Sequence, residues 1–123
     1  MKTILIIEDE KAYLKLLSDQ LTGKGYNIII AKDGKEGLEK AKKENPDLIL
    51  LDIILPVMDG LVMLDLLRKQ ELGNKTKVIM LTNLEPTDRI VEKIMIGQPS
   101  YYFVKSDIQF NDLLEKIKDL LAG

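Results

Sequence analysis

The sequence contains neither cysteine nor histidine. The absence of cysteine excludes disulfide bonds, thiolate nucleophiles and cysteine-ligated metals. The absence of histidine removes the usual general base, a common transition-metal ligand and any phosphohistidine intermediate. Chemistry in this chain must therefore use carboxylates, hydroxyls, amines and backbone groups.

Long apolar runs and an excess of one charge are missing as well. No apolar run approaches the roughly 20 residues of a membrane span, and the N-terminus enters a strand pattern without signal-peptide organisation. The net charge of −2, with both signs interspersed, gives no reason to expect nucleic acid or an anionic membrane as the main partner. We therefore expect a cytoplasmic protein with one domain over residues 1–123.

Five short apolar runs alternate with amphipathic segments. The predicted strands are Thr3–Glu8, Asn27–Ala31, Leu48–Leu51, Lys77–Thr82 and Tyr101–Val104. The predicted helices cover Lys11–Lys24, about Lys35–Glu44, the stretch from Gly60 to about Leu72, Pro86–Gly97 and Asp107–Leu121. This alternation predicts an α/β fold with a parallel sheet covered by helices on both faces. The common five-stranded solution is the flavodoxin-like doubly wound order 2-1-3-4-5.

Polar side chains follow the apolar runs at the carboxyl ends of the predicted strands. Asp52 ends the central strand, and the predicted order places it beside Glu8 and Asp9, which end the first. Thr82 and Lys105 end the fourth and fifth strands and reach the same edge. The sequence therefore predicts a polar site at this edge.

Carboxylates crowded in this way repel each other by about 1 to a few kcal/mol per pair. Protonation is one remedy, and a divalent cation is the other. All-oxygen ligation suits Mg²⁺, which retains several waters and binds phosphate oxygens. Asp52 would then be placed to attack a phosphoryl group as a carboxylate nucleophile. Lys105 can pair with carboxylate or phosphate, and the Thr82 hydroxyl can donate to a phosphoryl oxygen.

In order and spacing these residues resemble the response-regulator receiver domains of two-component signalling. The single-domain chemotaxis-type receiver is nearest in size, and the resemblance spans essentially the whole chain. It rests on Glu8-Asp9, Asp52, Pro56 with Asp59-Gly60, Thr82, and Tyr102 with Lys105.

The resemblance implies a phosphoacceptor and a metal site. Asp52 is the implied phosphoacceptor. Glu8, Asp9, Asp52 and the backbone carbonyl of Ile54 are the implied Mg²⁺ ligands. The phosphodonor would be a histidine kinase or a phosphotransfer protein, and the receiver would catalyse only its own phosphorylation and slow dephosphorylation.

The resemblance also implies a switch. Lys105 would contact the phosphoryl group, Thr82 would be the switch hydroxyl, and Tyr102 would be the aromatic residue that moves with it. The changed surface, made of the fourth helix, fifth strand and last helix, would bind a downstream protein, with the chain a monomer or a phosphorylation-dependent dimer. Because no effector domain follows, output would come from a partner unless the chain is a fragment.

Four positions depart from the family pattern. Ser106 replaces the proline that usually follows the conserved lysine in a cis peptide, so we expect either a trans Lys105–Ser106 bond or local strain. Asn83 replaces a small residue and could narrow access to the phosphoacceptor. Ile54 and Leu84 are apolar, and neither can orient an attacking water, which leads to the hypothesis of slow self-dephosphorylation.

Each residue taken singly has a simpler interpretation. Asp9 could cap the first helix, whereas Asp33-Gly34 and Asp59-Gly60 are typical of turns. Lys105 alone would be a solvated lysine, and Tyr102 alone would be half-buried packing.

The alternative function is that of a pseudo-receiver, a constitutive protein-interaction module without phosphorylation, which Asn83 and Ser106 leave open. A nucleotide- or flavin-binding enzyme is disfavoured because no glycine-rich phosphate loop follows the first strand. An Asp-x-Asp phosphatase is disfavoured because Ile54 occupies the second acidic position.

Overall fold

The apolar runs form one parallel sheet in the computed structural model, which describes residues 1–122. Its strands are β1 (Thr3–Ile7), β2 (Asn27–Ala31), β3 (Leu48–Leu51), β4 (Lys77–Thr82) and β5 (Tyr101–Val104). They pair in the order β2-β1-β3-β4-β5, and every pairing is parallel. The predicted fold class and strand order are confirmed.

Helices cover both faces of this sheet. They are α1 (Lys11–Gly23), α2 (Gly34–Glu44), α3 (Gly60–Arg68), α4 (Asp88–Gly97) and α5 (Phe110–Leu121). Leu17 of α1 and Ile117 of α5 belong to one apolar cluster, and Met63 of α3 belongs to the cluster on the opposite face. β1 and β3 are buried from both sides, which explains why their sequences are continuously apolar. None of the helices within residues 1–122 has the length and apolar character that crossing a bilayer requires.

Two helices begin later than the sequence predicts. Pro86 lies in the loop before α4, because Thr87 caps this helix by accepting a hydrogen bond from the Ile90 N–H (3.4 Å). α5 begins at Phe110 instead of Asp107, since Gln109 takes the N-cap position. α3 is shorter than predicted, with a C-cap at Lys69 followed by turns.

The two Asp-Gly pairs start helices. The Asp33 carboxylate accepts from the Glu36 N–H (2.7 Å) at the start of α2. The Asp59 carboxylate accepts from two N–H groups in the first turn of α3 (2.8 and 2.9 Å). Both aspartates therefore act as N-caps. The sequence interpretation assigned these positions to turns and did not predict the caps.

Gly60 lies in close contact with the backbone at the end of the central strand. A Cβ atom at this position would collide with the backbone carbonyl of Asp52. The Gly60 N–H also donates to the Ile53 carbonyl (2.9 Å). This close approach, open only to glycine, packs the start of α3 against the residues that follow β3.

Candidate functional site

The register of the central strands brings two acidic residues side by side. Ile7 of β1 lies opposite Leu51 of β3, so Glu8 and Asp52 are the next residues on neighbouring strands. The Asp52 N–H donates to the Ile7 carbonyl at 3.2 Å, which extends the parallel pairing into the site. Both side chains consequently emerge at the carboxyl edge of the sheet.

Glu8, Asp9 and Asp52 form a carboxylate cluster. One ligand oxygen from each lies within 4.8 Å of the others. Glu8 is 3% exposed and Asp52 6% exposed, whereas Asp9 is open to solvent. Asp9 does not cap α1, because Glu10 occupies the N-cap position and no side chain bonds there. The interpretation of Asp9 as a helix cap is therefore wrong, and the predicted acidic cluster is present.

Lys105 compensates two of these carboxylates directly. Its ammonium donates to Glu8 Oε1 (2.5 Å) and to Asp52 Oδ2 (3.0 Å). The same ammonium lies 4.5 Å from the centroid of the Tyr13 ring, a distance at which a cation and an aromatic face attract each other. We refer to Glu8, Asp9, Asp52, Lys105 and Tyr13 as the Lys105 cluster.

Tyr13 is the member that the sequence analysis missed. Its spacing fits the apolar stripe of α1, so the pattern alone does not distinguish it from a core residue. A signal was available in its position, one turn after the acidic run that ends β1. Helical geometry directs a side chain there back towards the start of the helix.

Burial and ion pairing act against each other in this cluster. Burial raises the pKa of Glu8 above its ordinary value, although hydrogen bonds from Lys105 and from the Glu10 N–H oppose the shift. Burial lowers the pKa of Lys105, but its hydrogen bonds to Glu8 and Asp52 outweigh this effect and leave the pKa raised. The lysine therefore stays charged while it holds two carboxylates.

The donor set fits a hard divalent cation. Three carboxylates share one ammonium, so the ionised cluster retains an excess of negative charge. All the acidic ligands offer oxygen, which suits Mg²⁺. Asp52 Oδ1 also accepts from the Ile54 N–H (3.2 Å), which orients the carboxylate. The cluster is consistent with Mg²⁺ binding.

The hydroxyl groups of Thr82 and Tyr102 both hydrogen-bond to the backbone of Leu84. Thr82 is fully buried at the end of β4, and its hydroxyl accepts a long hydrogen bond from the Leu84 N–H (3.5 Å). The Tyr102 hydroxyl donates to the Leu84 carbonyl (2.8 Å). Burial raises the pKa of Tyr102, with a further contribution from the carboxylates of Glu85 and Asp52. Any movement of Leu84 therefore affects both predicted switch residues.

The positions that depart from the family pattern surround this site. The Lys105–Ser106 peptide is trans, as are all peptide bonds in the described chain, so the first of the two expectations is met. Asn83 is exposed. Ile54 is 55% exposed, and its side chain and that of Leu84 line the same cleft.

The protein is therefore an α/β domain, and the carboxyl edge of its sheet carries an acidic cluster, a lysine and a threonine hydroxyl. The family model for the response regulator receiver domain matches residues 4–118. The chain belongs to this family. Receiver domains are signalling domains rather than metabolic enzymes.

Relatives and solved structures agree with this assignment. The chain is 44% identical over 100 residues to the alkaline phosphatase synthesis transcriptional regulatory protein PhoP of Bacillus subtilis, covering 81% of this chain and 41% of that protein. It is 35% identical over 121 residues to response regulator ArlR of Staphylococcus aureus (98% and 53%). The chain therefore spans about half the length of the curated relatives it matches.

Solved structures show the same fold. The fold matches a chain of the CheX–CheY–BeF3–Mg²⁺ complex of Borrelia burgdorferi with a TM-score of 0.84 and 28% identity, covering 99% of this chain and 90% of that one. A high-resolution structure of chemotaxis protein CheY4 of Vibrio cholerae matches with a TM-score of 0.87 and 28% identity, covering 98% of this chain and 99% of that one. The chain is thus a response-regulator receiver domain, and its sequence is similar to parts of PhoP and ArlR.

Proposed function

We propose that Asp52 accepts a phosphoryl group from a histidine kinase or a phosphotransfer protein in a Mg²⁺-dependent reaction. The observation that carries this proposal is the Lys105 cluster, in which a buried aspartate lies beside two further carboxylates and one ammonium. The proposal covers residues 1–123 as one receiver domain in the cytoplasm.

The proposed metal ligands are Glu8, Asp9, Asp52 and the backbone carbonyl of Ile54. A bound Mg²⁺ supplies positive charge that offsets the phosphoryl oxygens and the crowded carboxylates. An Asp52 carboxylate oxygen attacks phosphorus, and the bond from phosphorus to the donor breaks with its electron pair leaving on the donor. The product is an acyl phosphate on Asp52, and attack by a carboxylate needs no general base because this nucleophile has no proton to lose.

Lys105 and Thr82 respond to the added charge. The phosphoryl group brings about −1.5 to −2 charge units, so Lys105 Nζ exchanges a carboxylate oxygen for a phosphoryl oxygen. The Thr82 hydroxyl turns to donate to another phosphoryl oxygen and gives up its bond from the Leu84 N–H. Tyr102 follows, since its hydroxyl is bonded to the Leu84 carbonyl.

The proposed output is a changed protein-binding surface on α4, β5 and α5. Three apolar side chains of α4 are exposed on the molecule: Val91, Met95 and Ile96. Phosphorylation would bias an equilibrium between two arrangements of this surface. A downstream protein, or a second copy in a phosphorylation-dependent dimer, would bind the favoured arrangement.

Incubation with acetyl phosphate and Mg²⁺ tests the proposal. We expect intact-mass spectrometry to show the gain of one phosphoryl group, which is lost in Asp52→Ala and on chelation of the metal. Asp107→Ala, at an exposed aspartate, is the matched control and should gain the group normally. A parent protein that gains no mass would favour the alternative of a constitutive interaction module.

We also propose that the phosphoryl group on Asp52 is lost slowly. Ile54 is exposed next to Asp52 and cannot position a water molecule for attack. Ile54→Asn should shorten the phosphoryl lifetime, measured by the decay of the mass gain after removal of acetyl phosphate. A lifetime equal to or longer than that of the parent would contradict this part of the proposal.

A further inference from the structure

A cleft of about 620 Å³ lies between the first halves of α3 and α4. Its lining is mainly apolar and includes Ile54, Leu55, Leu61, Val62, Leu84 and Ile90. The volume falls within the range of about 300–1,000 Å³ that ligand-binding clefts occupy. Ile54 and Val62 are 55% and 47% exposed, so the chain itself leaves these side chains uncovered.

The cleft has a cationic side on α4. Arg89 and Lys93 line it one helical turn apart, and both are exposed. Within the part of the chain that the structure describes, neither side chain forms a salt bridge. The acidic residues Asp88 and Glu92 of the same helix do not line the cleft. Two cations are therefore available to an occupant.

The opposite side of the cleft, on α3, carries acidic residues that already have partners. The Asp59 carboxylate accepts the two N–H groups that it caps. Asp65 pairs with Lys69 at 3.1 Å. Both sides of the cleft therefore carry charge, but the cations on α4 have no ion-pair partner among the described residues. An anionic ligand that lies against α4 is their electrostatic complement.

We propose that this cleft binds an acidic peptide segment of a partner protein. A bulky apolar side chain of the segment enters the cleft, and the flanking carboxylates pair with Arg89 and Lys93. A peptide suits this surface because the cleft runs between α3 and α4 and combines an apolar lining with two cations on its α4 side, as peptide-binding grooves do.

The site is coupled to the predicted switch through Leu84. Leu84 lines the cleft, while its N–H bonds to the Thr82 hydroxyl and its carbonyl accepts from Tyr102. Phosphorylation that draws Thr82 away would alter this part of the cleft, so peptide affinity changes with the state of Asp52. This coupling rests on the proposed function, whereas binding to the unmodified chain does not.

The probe is a capped synthetic peptide of sequence EDLLFDE, titrated into the ¹⁵N-labelled chain. We expect amide shifts concentrated at the residues that line the cleft. A charge-inverted peptide, KKLLFKK, and a polar peptide, EDSSSDE, are the controls and should bind at least about tenfold more weakly. Equal binding of either control, or shifts centred elsewhere, would overturn the proposal.

Variants of the chain test the same contacts from the protein side. The double variant R89E/K93E should weaken binding of EDLLFDE by about tenfold or more, because it places like charges against the peptide. Val62→Glu should also weaken binding, because it adds a carboxylate to the apolar lining of the cleft. The matched control K11E/K15E reverses two charges at the same spacing on α1 and should change affinity less than about twofold. An unchanged affinity in R89E/K93E would overturn the proposal.

Saturation with beryllofluoride and Mg²⁺ tests the coupling separately. We expect the affinity for EDLLFDE to change at least about threefold when Asp52 carries the phosphoryl mimic. If beryllofluoride does not bind, the proposed function fails while peptide binding to the cleft still stands. If it binds and the affinity is unchanged, the coupling is overturned.

Discussion

Two cations lie at opposite ends of the sheet and are compensated in different ways. At the carboxyl edge, Lys105 bonds to the carboxylates of Glu8 and Asp52. At the amino edge, the guanidinium of Arg68 donates only to backbone carbonyls. These belong to Gly73 (2.9 Å), Thr76 (2.7 Å), Gly97 (2.6 Å) and Gln98 (3.3 Å). We refer to this second set as the Arg68 cluster.

The two cations differ in the chemistry of their hydrogen-bond partners, and this difference distinguishes a structural site from a site that can bind new ligands. Burial lowers the pKa of Arg68, yet a guanidinium remains charged in proteins, and its planar donors match several fixed carbonyls at once. The partners of Lys105 are carboxylates that can bind a proton, a metal or a phosphoryl group. The Arg68 cluster therefore holds the end of α3 to the connection before β4 and to the end of α4. The carboxylate partners of Lys105, by contrast, can exchange the ammonium for another ligand.

Removal of the Arg68 guanidinium should have the largest effect on stability. Arg68→Met leaves several partly buried carbonyls without donors, so the free energy of unfolding should fall by about 3 kcal/mol. Urea denaturation measures this change. Arg89→Met, at an exposed arginine, is the control and should stay within about 0.5 kcal/mol of the parent. Equal losses of stability in Arg68→Met and Arg89→Met would show that the hydrogen bonds from Arg68 to backbone carbonyls do not stabilise the fold.

Removal of the Lys105 ammonium should have a smaller effect that depends on metal. Lys105→Met leaves the carboxylates of Glu8 and Asp52 without their cation, which should cost about 2 kcal/mol in EDTA. The cost stays below that of a fixed buried charge because Glu8, whose pKa is already raised, can take up a proton. Mg²⁺ should then stabilise this variant more than it stabilises the parent, since it replaces the missing positive charge. Urea denaturation with and without Mg²⁺ measures both quantities.

The matched control for that experiment is Lys77→Met at an exposed lysine of β4. It removes a positive charge at the other end of the sheet, away from the carboxylates. Mg²⁺ should stabilise Lys77→Met and the parent equally. If Mg²⁺ stabilises Lys105→Met and the parent equally, the idea that the metal replaces the positive charge of the Lys105 ammonium would be disproved.

The pH dependence of the free energy of unfolding should show that burial disfavours the ionised form of Glu8. Because its pKa is raised in the folded state, Glu8 contributes stability that is fully present below the unfolded pKa and is lost as the pH rises through the folded pKa. Glu8→Gln cannot ionise, so its stability relative to the parent should increase as the pH rises from about 4 to 7.

Urea denaturation in EDTA across this pH range measures the Glu8 effect. Glu92→Gln, at an exposed glutamate of α4, is the matched control, and its difference from the parent should change less with pH. A difference between Glu8→Gln and the parent that decreases with pH would show that ion pairing with Lys105 outweighs burial.

The strands and the residues at their ends were predictable because their signals are local. Continuous apolar runs mark strands buried on both faces, and the residue after each run must lie at the carboxyl edge. The helix starts at Asp88 and Phe110 were harder, since the capping positions before them depend on loop geometry. Pro86 suggested an earlier start that the Thr87 cap overrides.

The contacts within the two cation clusters could not be predicted from local patterns. Lys105 and Glu8 are separated by 97 positions, and only the packed sheet makes them neighbours. In the sequence Arg68 looks like an ordinary basic residue at a helix end, because its carbonyl partners come from two separate segments, the connection before β4 and the end of α4. The cleft between α3 and α4 likewise depends on the distance between helices, which no periodicity specifies.

The carboxyl edge also contains backbone strain that should be measurable as the smallest of these effects. Val57 has a φ of 68°, and the Met58 N–H donates to the Pro56 carbonyl across it (2.7 Å). A β-branched side chain is disfavoured in this region, which asparagine tolerates. Val57 is 77% exposed, so little packing is lost on replacement. Val57→Asn should therefore raise the free energy of unfolding by about 1 kcal/mol.

Val62→Asn is the control for that variant, because it makes the same replacement at an exposed valine inside α3. It should give no gain, since asparagine is no better than valine in a helix. A loss of stability in Val57→Asn would mean that the Val57 side chain contributes packing that offsets its backbone conformation. A gain confined to Val57→Asn would show that the loop after Asp52 retains backbone strain at Val57.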